Sequence, residues 1–249
     1  LSYPEYLAHI DADAHLLAAA AAKGLSPDVP GCPGWTVVEL VDHVARVHAR
    51  TTDIVERRLV DKWPEPSNRP ADEEPTAWVR RGASRLSAAL AAADPAAAAV
   101  SFAREQTVGF WIRRMAHETL VHRVDAEQAH RYESQVDFSL ATDGIAEIVE
   151  VFVTRFPDWG DFVPDDTVVR IEVGDAPPTL QLGRFVGAKR DRKIDTPKAV
   201  GVESATPDAT VSGDPDRVLL WLWGRAPLAD VTVTGHVAAA ERLREACSI

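Results

Sequence analysis

Glu118 and His122 stand four residues apart in the stretch Trp111-Ile112-Arg113-Arg114-Met115-Ala116-His117-Glu118-Thr119-Leu120-Val121-His122-Arg123-Val124-Asp125. Each helical residue turns by about 100°, so a carboxylate and an imidazole at this spacing share one helix face. Backbone hydrogen bonds then hold two metal-binding side chains at a fixed separation. Trp111 and Met115 fall on the same stripe, which predicts that the stripe points into the protein. A Glu and a His turned inward without partners would each cost roughly several kcal/mol in desolvation, and a divalent cation satisfies both. The order His-Glu-x-x-x-His differs from the His-Glu-x-x-His of zinc peptidases, in which both histidines share a face, and this excludes a metalloprotease. His117 is rotated by about 100° from Glu118, and the expectation for it is a supporting or structural role.

These side chains need a scaffold. Tyr6 to Lys23 has apolar residues at helical spacing and ends at Gly24. A Pro/Gly-rich loop, Ser26 to Trp35, follows. Thr36-x-x-Glu39 has the form of a capping box and opens a second helix, expected to run to about Val60. Lys62 to Pro75, with Pro64, Pro66 and Pro70 inside it, reads as a loop. A third helix spans about Thr76 to Ala93, and a fourth about Thr107 to Arg131. Leu140 to Phe156 reads as one more helix. Thr167 to Val173 alternates as a half-buried strand does, and Pro178 to Val186, Ala209 to Ser212 and Val231 to Val233 are shorter strand candidates. Asp214 to Trp223 and Val237 to Cys247 read as helices. The first half is therefore all-helical and the second α+β, with domains expected at 1–136 and 137–249. A four-helix bundle builds metal sites from side chains on facing helices. A third ligand is thus expected from the second helix, which offers His43 and His48. They are five apart and flank the apolar face on opposite sides, so periodicity does not choose between them. Whichever is not a ligand is expected to be a capping or surface histidine.

Bulk properties narrow the function. Apolar residues make up 46% of 249, enough to bury a core. Net charge is −11 with no basic run, which argues against nucleic acid as a partner. Cys32 and Cys247 form no disulfide framework. No stretch approaches about 18 uninterrupted apolar residues, and residues 1–9 do not read as a secretory leader. The expectation is a cytoplasmic protein with no membrane partner. Abundant Ala, Arg, Asp and Val with little Lys fits a high-GC genome.

Two motifs and the tail extend the reading. Val29-Pro30-Gly31-Cys32-Pro33-Gly34-Trp35-Thr36 followed by Leu40-Val41-Asp42-His43 resembles the N-terminal signature of the mycothiol-dependent maleylpyruvate isomerase family. Arg114-Met115-Ala116-His117-Glu118 with His122-Arg123-Val124-Asp125-Ala126-Glu127 resembles its second signature. Val211-Ser212-Gly213-Asp214 and Leu220-Trp221-Leu222-Trp223-Gly224-Arg225 are similar to its C-terminal domain. The resemblance implies a DinB-like four-helix bundle followed by a small α+β domain similar to sterol carrier protein. It implies a divalent metal, usually zinc, on His43, Glu118 and His122, with an open coordination position. It also implies mycothiol, the low-molecular-weight thiol of actinobacteria, as cofactor. The nucleophile would then be a cofactor thiolate or metal-bound water, with none from the protein. The thiolate would add to the double bond of a cis-enedione acid and leave after rotation. Related bundle enzymes transfer the thiol to an electrophile instead. His236 stands where the family pattern has an acidic residue.

Several residues keep two readings. Asp125 shares the face of Glu118 and His122. It can orient a ligand or a thiol, or it can pair with Arg123 or Arg46. Arg225 can clamp a substrate carboxylate or satisfy helix C-terminal carbonyls. Cys32 has no His or Lys beside it in sequence and reads as a small buried hydrophobe. Trp35, Trp111, Trp221 and Trp223 read as core, and His9, His15, His130 and His236 as solvated. Two other functions compete with the thiol-dependent enzyme: a non-catalytic binder of an apolar ligand, and a metal hydrolase that uses no thiol.

Overall fold

The computed structural model describes residues 1–190 and 192–247. The chain divides into two compact units, Leu1–Gln135 and Val136–Ile249.

The first unit is a four-helix bundle: α1 (Tyr3–Ala21), α2 (Val37–Glu56), α3 (Pro75–Ala92) and α4 (Val108–Ala129). Helix α2 begins as its sequence directs, because Thr36 and Glu39 form a reciprocal capping box. It ends at Glu56, short of the expected Val60, where Arg58 takes a left-handed φ of 51° and turns the chain away. Helix α1 packs on α3 and α4, and α2 packs on the same two from the other side. The core between them includes Leu17, Leu40, Val41, Val44 and Val79, all sealed from solvent.

Helix α4 is buried around most of its circumference, with Trp111, Met115, Leu120 and Val124 at 0–1% exposure. Charged side chains on its other faces must therefore find partners inside the protein. Arg123 does so as an ion pair with Asp13 on α1, its Nε 3.2 Å from Oδ1, and by donating from NH1 to Glu127 at 3.1 Å. Its NH2 donates to the Gln135 carbonyl at 2.8 Å, which pins the chain that leaves the bundle.

The second unit opens with α5 (Phe138–Glu147), which passes into a π-helical segment, Ile148–Val153. The expected uninterrupted helix to Phe156 thus stops earlier and changes pitch. A five-stranded sheet follows: β1 (Gly160–Glu172), β2 (Thr179–Lys189), β3 (Arg192–Gly201), β4 (Ala209–Ser212) and β5 (Thr232–Gly235). Its order is β3-β2-β1-β4-β5, antiparallel except for the β1–β4 pair. Helix α6 (Pro215–Leu222) lies between β4 and β5 in the chain, and α7 (Val237–Cys247) closes the unit against β1, β3 and β4.

Strand β3 is absent from the sequence expectation. It is an edge strand carrying Arg192, Lys193, Asp195 and Lys198, with Pro197 in its middle, and only Ala199 in it is fully buried. Charge and proline are tolerated at a sheet edge and hide the strand from pattern reading. Strand β1 starts seven residues before the expected Thr167, and its register slips between Pro164 and Val168 where Asp165 and Asp166 interrupt the apolar alternation.

Candidate metal centre

The side chains of interest meet along the seam between α2 and α4. His43 Nε2 lies 3.1 Å from Glu118 Oε1, and His122 Nε2 lies 3.4 Å from the same oxygen. Further along, His48 Nε2 donates to Thr119 Oγ1 at 3.0 Å, and Thr51 Oγ1 donates to Met115 Sδ at 3.3 Å. From His43 with Glu118 to Thr51 with Met115 the numbers rise on α2 and fall on α4, so the two helices run antiparallel. This decides between the histidines that periodicity left open. His43 joins Glu118 and His122, while His48 does not. His48 is neither capping nor at the surface: it is fully buried, and burial pushes its pKa down to about 4. Thr119 gives its own hydrogen to the Met115 carbonyl at 2.6 Å, so the proton between them belongs to His48 Nε2.

His43, Glu118 and His122 can each offer one ligand atom, all within 4.8 Å of one another. Zinc bonds of about 2.0–2.1 Å to nitrogen and oxygen, arranged tetrahedrally, put neighbouring donors about 3.3–3.4 Å apart. The observed 3.1 and 3.4 Å match that edge. Two imidazoles and one carboxylate are also the donor types that a borderline cation takes. The residues present fit the group.

Each ligand candidate is held from behind. Asp125, fully buried, accepts from His122 Nδ1 at 2.9 Å. This directs Nε2 toward Glu118 and is the carboxylate–histidine arrangement that orients metal-binding imidazoles. Of the two readings for Asp125, the geometry favours this one, since Arg123 is engaged with Asp13 and Glu127. Glu118 Oε2 accepts from Arg114 NH2 at 3.0 Å, leaving Oε1 for the histidines. The Trp35 ring stands 4.9 Å from that of His43. A short turn places it there: Trp35 N donates to the Cys32 carbonyl at 3.0 Å, with Pro33 and Gly34 at the corner and Gly34 at φ 86°. Pro then Gly, with φ positive at the Gly, is a type II turn.

The same turn carries Cys32 to the other side of the cluster. Its Sγ lies 3.4 Å from Asp125 Oδ2, and Cys32, His122 and Asp125 form a second group of close donor atoms. The thiol is thus no isolated hydrophobe, but a neighbour of His122. Ninety-three positions separate Cys32 from Asp125, so no local pattern announces the contact.

The electrostatics follow from the packing. Burial alone would raise the Glu118 pKa, but hydrogen bonds from His122 and His43 and the Arg114 charge outweigh it and hold the carboxyl well below the usual range. Burial alone would lower that of His122. Its hydrogen bonds with Asp125, Cys32 and Glu118 win and lift it well above 6.5. Without a cation these two groups hold each other as an ion pair, and a metal must displace a proton from His122 to bind.

His117 points toward α1, its ring 6.2 Å from that of Tyr6, and the structure does not bring it to the cluster. Arg225 NH1 donates to the Trp223 carbonyl at 2.6 Å beyond the end of α6. His130, expected to be solvated, donates to the Gly24 carbonyl at 3.1 Å past the end of α1. Trp35 is only partly buried, whereas Trp111 and Trp221 are core.

The comparisons with known proteins agree with this architecture. None of the curated proteins matches the chain by sequence. Among solved structures, it is similar to the mycothiol-dependent maleylpyruvate isomerase (TM-score 0.56) and to a histidine-to-alanine mutant of it (TM-score 0.61), each at 14% identity over 95% of both chains. At that identity the likeness establishes the fold. The model of the mycothiol maleylpyruvate isomerase N-terminal domain matches residues 7–127, and that of the corresponding C-terminal domain matches residues 139–242. With both domains present in order, the chain belongs to the mycothiol maleylpyruvate isomerase family.

Proposed function

We propose that this protein is a metal-dependent, mycothiol-using enzyme that isomerises a small unsaturated acid, with the metal held by His43, Glu118 and His122. The observation that carries the reading is the convergence of three donors from two helices, all within 4.8 Å, with both separations from Glu118 Oε1 near the edge length of a zinc tetrahedron. Family membership supports the thiol and the isomerase class. A zinc-class cation supplies Lewis acidity, which lowers the pKa of a coordinated thiol.

The chain's own residues prepare for that chemistry. Asp125 holds the Nδ1 proton of His122 and so keeps Nε2 free as a donor. Arg114 occupies Oε2 of Glu118 and fixes which oxygen faces the histidines. Trp35 packs on His43 and limits its rotation. His43 keeps 30% of its side chain exposed against 11% for His122, so the cluster is open from the His43 side, where a small molecule can approach.

Metal content tests the proposal. Protein purified without chelator or affinity resin should carry about one zinc per chain, and His43→Ala should lose it with its helical circular dichroism unchanged. Wild type that is metal-free and takes up no added zinc would sink the reading.

A further inference from the structure

Arg50 stands seven residues after His43 on α2, and therefore on the same face two turns further along the seam. Its guanidinium lies 5.4 Å from the centre of the Trp63 ring, and Trp63 packs edge-on against Trp111 at 6.0 Å. Trp111 precedes Glu118 by two turns on α4, so this group sits about 10 Å from the trio along the helix axis. The loop that carries Trp63 is tied down near both positions. Arg69 Nε donates to Asp42, the residue before His43, at 2.8 Å, and Arg69 NH1 donates to the Glu73 carbonyl at 2.8 Å. The loop thus touches α2 at Asp42 and again at Arg50.

Among the described residues, the Arg50 guanidinium has no ion-pair or hydrogen-bond partner. Its Nε is buried and unsatisfied, whereas Arg69 and Arg114 nearby are each paired with a carboxylate. Burial lowers its pKa, and the nearby Glu118 charge only partly offsets this. A half-buried guanidinium facing a ring rather than a carboxylate keeps N–H donors that no protein anion fills. An arginine takes a carboxylate through paired N–H donors. Helical Cα–Cβ bonds tilt toward the N-terminus, which from Arg50 is the His43 end of α2.

We infer that Arg50, braced by the face of Trp63, is the anchor for the carboxylate of a short-chain acid whose reactive carbons lie toward His43, Glu118 and His122. This rests on the function proposed above and adds to it the residue that selects an acid over a neutral electrophile. Arg114 cannot serve in its place, because Glu118 already occupies its NH2.

Calorimetric titration with succinate, an unreactive short dicarboxylate, tests the assignment, with succinamide as the neutral control. Metal-free wild type should bind succinate and not succinamide. Arg50→Gln should weaken binding roughly tenfold or more, the loss of a charge-assisted contact, while taking up zinc as wild type does. Arg50→Lys should fall between them. A wild type indifferent to succinate, or an Arg50→Gln protein that binds it as wild type does, overturns the inference. Zinc uptake separates the two proposals. Normal zinc with no succinate binding defeats only the anchor, and succinate binding without zinc uptake defeats only the metal-dependent function.

Discussion

Glu118 is shared by three partners, and its two oxygens divide them. Oε1 faces His43 and His122, and Oε2 faces Arg114. The division matters because a carboxylate free to rotate would be a poorer ligand than one held by a second bond. His122 is constrained in the same way by Asp125. Asp125→Asn keeps the shape but weakens the acceptor and can present N–H₂ to the imidazole, which favours the wrong tautomer. Zinc affinity measured by chelator competition should drop by about 10–100-fold in this variant, with thermal stability largely retained. Unchanged affinity would mean that Asp125 serves the fold and not the metal. At this scale the sequence was half legible. Glu118, His122 and Asp125 announce a common face through their spacing alone. His43 comes from the family resemblance, and the contact of Cys32 with Asp125 has no sequence signal, because a turn brings the thiol in from far away in the chain.

The seam between α2 and α4 is polar where most bundle seams are apolar. Its rungs are His43 with Glu118, His48 with Thr119, and Thr51 with Met115. The middle rung makes stability depend on pH. His48 has a folded pKa of about 4 against 6.5 for the free side chain. Between those values the unfolded chain binds a proton that the folded one refuses. Its contribution to stability is therefore present above about pH 6.5 and is lost as pH falls toward 4, amounting to roughly 3 kcal/mol. Urea unfolding of the metal-free protein across this range should show that loss, and His48→Gln should flatten the slope. An equally steep slope in the variant would assign the acid sensitivity to other groups. The elements themselves were readable to differing degrees. The capping box of α2 and the apolar stripe of α4 are local signals and appear in the sequence. The π-helical segment after α5 and the charged edge strand β3 carry no such signal, since their stability comes from neighbours.

At the scale of the molecule, all three proposed ligands and Arg50 fall within Leu1–Gln135. Arg123 closes that unit through Asp13, Glu127 and the Gln135 carbonyl. A chain ending after residue 135 should therefore fold, with helical circular dichroism, and should take up zinc with wild-type stoichiometry. A truncated chain that is helical but metal-free would show that the second unit is needed to complete the centre. No helix among the described residues is long and apolar enough to cross a membrane. The sequence by itself determined the helical first half, the start of α2, the inward stripe of α4 and the pairing of Glu118 with His122, because each depends on residues within a turn or two of one another. Only the tertiary structure decided that His43 and not His48 meets them, that Cys32 flanks His122, and that Arg50 lies beneath Trp63 without a carboxylate. Those relations depend on the register of two antiparallel helices and on the path of two loops. Packing of the whole bundle sets both, and no spacing along the chain encodes them.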